Sequence, residues 1–431
     1  MARAAIKEQR LRTATERLAA MAMPEGSVWA REARNAALER VQSMGLPTRR
    51  DEYWRFTDPA SLTASETDTA SVLVRDESPV FGDVERLRIV FVDGVFDPEQ
   101  SDALEMAGLT IERLSDVADT DLHWARGLFG VLEAAGQAPV ERSLAALNTA
   151  FAEDGIVIRA TGKAEKPVAL VYLHEKPASD VMLHHVIKVE PGAELTLLES
   201  GPAAPRLSCV MEVEVAEGGR FNHVRAQGRA HDRRAHTHAF ARLGAEASYK
   251  SFTLTANGRL TRNEHVVEIL GDDAVAHVAG ACVGDGESFH HDDTVFITHD
   301  AVNCESRQVF KKVLRNGATG VFQGKILVKE GAQKTDGYQI SQSLLLDDDS
   351  QFLAKPELEI YADDVACSHG STSGAIDETA LFYLRSRGVP ADQATDLLTL
   401  AFLAEALDEI EDTRLADDLR DRLDSWLTRR R

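Results

Sequence analysis

The sequence predicts a mainly β fold, a long repetitive core of strands set between helical ends. Three observations carry that expectation. From Gly155 onward, short runs such as IVIRA, VALVYL, VMLHHVIKVE, CVMEVEV, ASYKSFTL and GKILV follow one another with almost no helical periodicity for about 200 residues. Turn-forming glycines recur at a near-constant spacing: Gly192 to Gly218 and Gly218 to Gly244 are each 26 residues, and Gly244 to Gly271 is 27. Gly258 and Gly284 lie about halfway along. Both ends of the chain, by contrast, space their apolar residues at three and four. A period in the 20–50 range points to stacked supersecondary units, and short strands without helices fit a β-helix or related solenoid. An antiparallel sandwich or barrel also gives turns at about half that spacing, so the spacing by itself leaves both architectures open.

In chain order, residues 5 to 45 read as two helices, with Leu11, Ala14, Leu18 and Met21 on one face and Ala30, Ala33, Ala37, Val41 and Met44 on the next. Pro24-Glu25-Gly26 separates them, Ser27 is an N-cap, and Gly45 with Pro47 stops the second. GLPTRRDEYWRFTD (45–58) then sets Tyr53, Trp54 and Phe56 among charges, and the polar run Thr63 to Ser71 reads as a linker. LRIVFVDGVF (87–96) is a strand, and 120–151 returns to helix. The expected organisation is an N-terminal helical domain and linker (1–80), a mixed α/β entry segment (81–150), the β core (151–374) and a C-terminal helical domain (375–431). In the last of these Ala394, Leu397, Leu398, Ala401 and Phe402 form one stripe, continued by Leu403, Ala406, Leu407 and Ile410, then by Leu415, Leu419, Leu423 and Trp426. Helices so broadly apolar need partners on more than one side. Either the two helical ends pack on each other or the C-terminal one docks another subunit.

Composition narrows the function. The chain has 431 residues, 44% hydrophobic and 27% charged, ordinary values for a globular protein. No window approaches the roughly 20 apolar residues of a membrane span, and the N-terminus lacks the apolar stretch of a secretory signal, so a cytoplasmic protein is expected. The net charge is −22, from 70 acidic against 48 basic side chains. Such a surface repels phosphate backbones and anionic lipid, which argues against nucleic acid and membrane as partners. KKVLR (311–315) and Arg429-Arg430-Arg431 are the candidate local basic patches. The cysteines Cys209, Cys282, Cys304 and Cys367 are 73, 22 and 63 residues apart. That spacing makes no C-x-x-C pair, and free thiols are the simplest reading, with Cys304 a buried structural one.

Candidate chemistry centres on Pro356 to Gly388. Strand-like alternation reaches Cys367-Ser368-His369-Gly370, then a Gly/Ser/Thr loop, then helix. Residues i and i+2 of a strand point to one side, so Cys367 and His369 can touch one metal ion or one partner surface. Thiolate and imidazole both bind iron, zinc and iron–sulfur clusters, but two ligands do not close a site. His236 and His238, with His290, His291, Asp292 and Asp293, form a second candidate set, competing with a plain reading as solvated side chains. Glu357 and Glu359 share one strand face and can be read as a glycosidase or lyase pair, or as an ordinary exposed edge. The chain has no P-loop, dinucleotide fingerprint, G-x-S-x-G elbow or H-E-x-x-H. No self-contained catalytic set emerges, which favours a scaffold or subunit over an independent enzyme.

Three stretches, GLPTRRDEYWRFTD (45–58), the run from NCESRQVFKKVL to GVFQGKILVKEGAQKTDGYQ (303–339) and KPELEIYADDVACSHGSTSGAIDETALFYLRSRG (355–388), resemble the SufB/SufD family of iron–sulfur cluster assembly proteins. The third is the most specific; 151–300 matches mainly in character. In the SufB branch the histidine of this motif is typically followed by Glu, whereas here Gly370 follows His369, as in the SufD branch. The resemblance implies a right-handed parallel β-helix (β-solenoid) core flanked by N- and C-terminal α-helical domains. It also implies a non-catalytic scaffold subunit that pairs with SufB through the β-helix ends. The ATPase SufC, which would supply ATP hydrolysis, would be held by the C-terminal helices. His369 is then the implied metal ligand and Cys367 a weaker one. Both would be shared with SufB toward transient iron or a nascent cluster, with no permanently bound cofactor. A homodimer of the isolated chain stays open. The competing reading from residues alone is a β-helix enzyme acting on polysaccharide, against which the acidic charge and the helical ends both count.

Overall fold

A computed structural model of the chain describes residues 2–72, 79–201, 204–228 and 231–429, so Arg430 and Arg431 of the terminal arginine triplet lie outside the described residues. The core is a β-solenoid of about seven turns. Two ten-stranded sheets face each other, and from Ile156–Ala160 to Ala366–Gly374 successive strands go alternately to one sheet and the other. Each turn therefore holds two strands. Strands of successive turns pair in parallel: Arg206 opposite Arg234, Arg234 opposite Leu260, Leu260 opposite His290, His290 opposite Thr319 and Thr319 opposite Gln351. One turn thus advances by 26 to 32 residues, and the parallel register rules out the antiparallel sandwich or barrel. Antiparallel pairing is confined to the first strands, between 87 and 113 and at Ile156–Ala160.

Strand alternation sorts side chains between the solenoid interior and its two outer faces. In Ser248–Ala256, Tyr249 packs in the interior core and Ser251 and Thr255 hydrogen-bond to His223 and Gln227 of the turn before. Phe252 and Leu254 point outward. The interior is therefore half apolar, with Leu195, Phe221, Tyr249 and Ala276 stacked turn on turn, and half polar. One corner of the solenoid repeats a left-handed residue in six successive turns: Gly192 (φ 69°), Gly218 (64°), Glu246 (54°), Asp273 (60°), Asn303 (60°) and Lys334 (59°). There the backbone N–H of each donates to a carbonyl one turn further on, as Gly218 does to Ala245.

Helices cover both outer faces. The N-terminal helices Ala2–Leu18 and Val28–Met44, with Ser143–Phe151, lie over the sheet that contains Arg234–Leu243. Ala391–Leu407 and Thr413–Arg429 lie over the other sheet, where Leu403, Leu407, Leu415, Leu419 and Leu423 meet Phe252, Leu254, Ala281 and Val283. The two helical ends thus sit on opposite faces rather than on each other, and most of the C-terminal apolar stripe is consumed inside the chain. Two local expectations change. The segment 120–151 holds only Trp124–Gly127, Val131–Ala135 and Ser143–Phe151 as helical pieces, because Gly130, Gly136 and Pro139 interrupt it. The expected Gly/Ser/Thr loop after His369 is strand as far as Gly374: Ser371 and Ser373 hydrogen-bond to Ser341 and Ser343 of the neighbouring strand at 2.7 and 2.9 Å. Those hydroxyl pairs supply the cross-strand contact that apolar residues would normally give.

Candidate metal centre

Cys367 and His369 lie in Ala366–Gly374, the last strand of its sheet, and Gln351–Ile360 is the last strand of the other. Among the described residues each has a strand neighbour on one side only, so the solenoid ends in two strand edges at the same end. Cys367 stands opposite Gly337 and His369 opposite Gln339. The thiol is half-buried against the core around Ile326 and Leu358, and burial pushes it up from the ordinary thiol range. His369 is exposed. Gly337 makes room for the cysteine, since a Cβ there would stand 3.1 Å from Cys367 Sγ. The two ligand types share one side of one strand, as their spacing predicts. Among the described residues no third His, Cys, Asp or Glu completes a site with them at single-ion spacing. The pair stands by itself at the strand edge.

Next to it, Asp377 caps the helix Glu378–Ser386 by accepting from the backbone N–H groups of Thr379 and Ala380 at 2.8 and 3.1 Å. That helix buries none of its residues and leaves Phe382 74% and Tyr383 54% exposed. Tyr361 is exposed on the adjoining strand end. These aromatics leave apolar surface uncovered in the single chain.

The second candidate set does not come together. Consecutive residues of a strand alternate, so Asp292 points outward to Arg262 and to Thr57 (2.5 Å), with His290 beside Thr57 (2.9 Å). His291 and Asp293 point into the solenoid, where both contact Lys312 Nζ. His236 and His238 instead meet Glu264, 3.3 and 3.7 Å from its Oε1. Arg262 Nε and Arg142 Nε bracket the same carboxylate at 2.7 and 3.2 Å. A dication there would stand against two buried guanidiniums in a poorly screened site, so the chemistry of this set is that of an ion-pair network. A third set, which sequence reasoning missed, is His185, Glu199 and Cys209 inside the solenoid. His185 Nδ1 accepts from the Ile156 N–H (3.0 Å), which leaves the proton on Nε2 facing Tyr172 Oη (3.0 Å). Tyr172 donates to Glu199 (2.5 Å), and both His223 and Arg225 Nε reach that carboxylate at 2.7 Å. With both nitrogens engaged, His185 has no lone pair for a metal. Burial would raise Glu199, but Arg225 and His223 outweigh it and hold the carboxyl well below its usual range. Burial pushes Cys209 far up and Cys282 up to about 12, so both stay protonated. Cys304 is buried and donates to the Gly271 and Val302 carbonyls.

The remaining sequence candidates resolve into structure. Glu357 and Glu359 do share the outer face of their strand. Glu357 accepts from Tyr53 Oη (2.6 Å), and Glu359 pairs with Lys325 (2.5 Å) and accepts from Tyr361 Oη (2.6 Å). Both carboxylates are held in ion pairs and side-chain hydrogen bonds. KKVLR does not form a basic patch: Lys311 pairs with Glu405, Lys312 lies inside with Asp293, and Arg315 pairs with Asp285 (2.8 Å). The 45–58 stretch is an internal brace. The Arg262 guanidinium lies 4.2 Å from the Trp54 ring centre, and the Tyr53 carbonyl accepts from Arg262 (2.8 Å) and Gln323 (3.0 Å).

The missed partners carry a common signal. His236 and Glu264, and His223 and Ser251, are each 28 residues apart, one solenoid turn. Adding one turn to these two histidines reaches their neighbours, whereas His185 and Glu199 are only about half a turn apart in sequence.

Comparison with known proteins agrees with this architecture. The family described as "SUF system FeS cluster assembly, SufBD core domain" matches residues 172–402, and "SufBD protein N-terminal region" matches 16–170. The chain is 27% identical to the iron–sulfur cluster assembly protein SufD of Escherichia coli over 388 residues, 88% of each chain. It is 29% identical to an iron–sulfur cluster assembly SufBD family protein of Synechocystis, covering 90% of this chain and 89% of that one. It is 26% identical to SufD of Bacillus subtilis over 63% of each. With a core match that spans more than half its length, the chain belongs to the SufBD family of the SUF iron–sulfur cluster assembly system.

Proposed function

We propose that the chain is a SufD-type scaffold subunit of a SufB–SufC–SufD complex, working in the cytoplasm without a catalytic step of its own. In this reading His369, with Cys367 as the weaker ligand, receives iron or a nascent iron–sulfur cluster as cargo, and SufB supplies the remaining ligands. The observation that supports this most is the incompleteness of the Cys367–His369 pair at a free strand edge. An edge of unpaired N–H and C=O groups is a template for another chain, and a half-shell of soft ligands there becomes a site only when that chain arrives. The absent P-loop fits ATP hydrolysis by SufC. The glycosidase reading loses its support, because the carboxylates it needs are tied up.

The test is reconstitution of the complex with His369→Ala. His369 is exposed and makes no core contact, so folding and assembly should survive. Iron content and cluster yield should fall at least tenfold, with a smaller loss for Cys367→Ser. Unchanged cluster yield in the His369 variant would remove the metal role.

For SufC we propose docking on the outward side of the C-terminal helices, where Phe382, Tyr383 and Leu397 are exposed. Deleting these helices would uncover Phe252 and Leu254, so surface charges are the cleaner probe. Phe382→Glu combined with Tyr383→Glu should abolish co-purification with SufC while pairing with SufB persists. Retention of SufC would refute the placement.

A further inference from the structure

Among the described residues, the polar half of the solenoid interior contains one buried cation without an anion. Arg233 is 1% exposed and lies just before Arg234–Leu243, on the interior side with Ala235 and Thr237. Its Nη1 donates to the Gly228 carbonyl (3.2 Å), and its Nη2 to the Asn257 carbonyl (3.3 Å) and Thr261 Oγ1 (3.1 Å). Its Nε–H has no acceptor. Among the described residues no carboxylate pairs with it, and burial is the single influence on its titration. The other described buried cations along this column are matched: Arg225 with Glu199, and Lys312 with Asp293. A guanidinium taken out of water without a counter-charge is costly, and such groups persist when something neutralises them.

Arg233 borders a cavity of about 10 Å³, lined also by Cys209, Arg225, Gln227, Thr237 and Glu199. Both Glu199 oxygens are taken by Tyr172, His223 and Arg225, so the cavity wall carries one net positive charge. That is the space open to the centre of a water-sized sphere, room for one water molecule or one monatomic ion. Phosphate, sulfate and carboxylates are too large.

We propose that this cavity is a binding site for one halide-sized monovalent anion, held by the Arg233 guanidinium. The anion closes the charge balance of the interior column and ties two strands of facing sheets at the corner where Gly228 and Arg233 meet. Crystals of the full chain grown in bromide test it directly. An anomalous peak within about 3.5 Å of Arg233 nitrogens is the expected result. Density for water there, in crystals that show bromide on the surface, would overturn it. In solution, replacing gluconate by chloride at constant ionic strength should raise the unfolding temperature saturably, and Arg233→Gln should lose that response. An equal response in both proteins would also overturn it. Should the variant fail to fold, the bromide experiment on the natural chain decides alone. Neither outcome bears on the metal role of Cys367 and His369.

Discussion

Glu264→Ala is expected to destabilise the chain by about 3–5 kcal/mol, the range for removing one partner from a buried ion-pair network. Glu264 is 3% exposed and Arg262 and Arg142 are similarly buried, so the loss leaves Arg262 with Asp292 alone and Arg142 with backbone carbonyls in place of a carboxylate. Burial would raise the Glu264 carboxyl, but Arg262 and the surrounding cations outweigh it and keep it ionised. The consequence is not confined to one contact. Arg142 belongs to the segment before the solenoid, Arg262 to the solenoid itself, and Arg262 carries both the Tyr53 carbonyl and the Trp54 ring. Urea unfolding should report the global loss, and amide hydrogen exchange should quicken first at 45–58. Glu268→Ala, further along the same strand and half-buried, is the control and should stay within about 0.5 kcal/mol. A loss below about 1 kcal/mol in Glu264→Ala would mean that relaxation or water replaces the carboxylate, and the network would not be the clamp between brace and solenoid.

What the sequence made legible follows from what repeats. The glycine period was real, yet it mixed two causes. Gly192 and Gly218 occupy the left-handed corner, whereas Gly244 and Gly271 sit two residues before it; a Cβ on Gly271 would stand 2.0 Å from the Ala245 backbone nitrogen. In later turns Asn303 and Lys334 take the corner, so the glycine signal fades while the architecture continues. The Cys367–His369 pairing was legible because strand alternation is local. Its strand was legible only in part, because Ser371 and Ser373 hold their place through hydroxyls one turn away, and Gly-Ser-Thr composition reads locally as loop. FHHDD misled for the opposite reason: four adjacent polar residues look like one cluster, and the pleat divides them between outside and inside. Glu199, Glu264 and Arg233 were invisible as partners because solenoid contacts join residues one turn apart, and that period drifts from 26 to 32.

The same buried histidines make acid the largest lever on stability. His185 is held down to about 4, His265 to about 3 and His299 to about 4, in each case first by burial. In the unfolded chain all three return to about 6.5. Above that value both states are neutral there and pH has no grip. Between pH 6.5 and 4 the unfolded chain binds these three protons that the folded chain refuses, and others besides, since burial holds His238 and His291 well down too. Stability should then fall by at least about 4 kcal/mol per pH unit near pH 5, taking about 1.36 kcal/mol per proton. Glu199 and Glu264, both held low, add their share only as pH drops below the ordinary carboxylate value of about 4.3. A domain stable by about 5–15 kcal/mol would therefore unfold on histidine protonation before its carboxylates titrate. Urea midpoints should be flat from pH 8 to 7 and drop steeply below 6.5. His265→Asn should remove about one proton from the slope, since its ring otherwise lies buried beside Tyr249 Oη at 3.2 Å. Midpoints level down to pH 5 would show that these rings accept protons within the fold, and the buried column would then have to be charged, with counter-ions drawn into the solenoid to match.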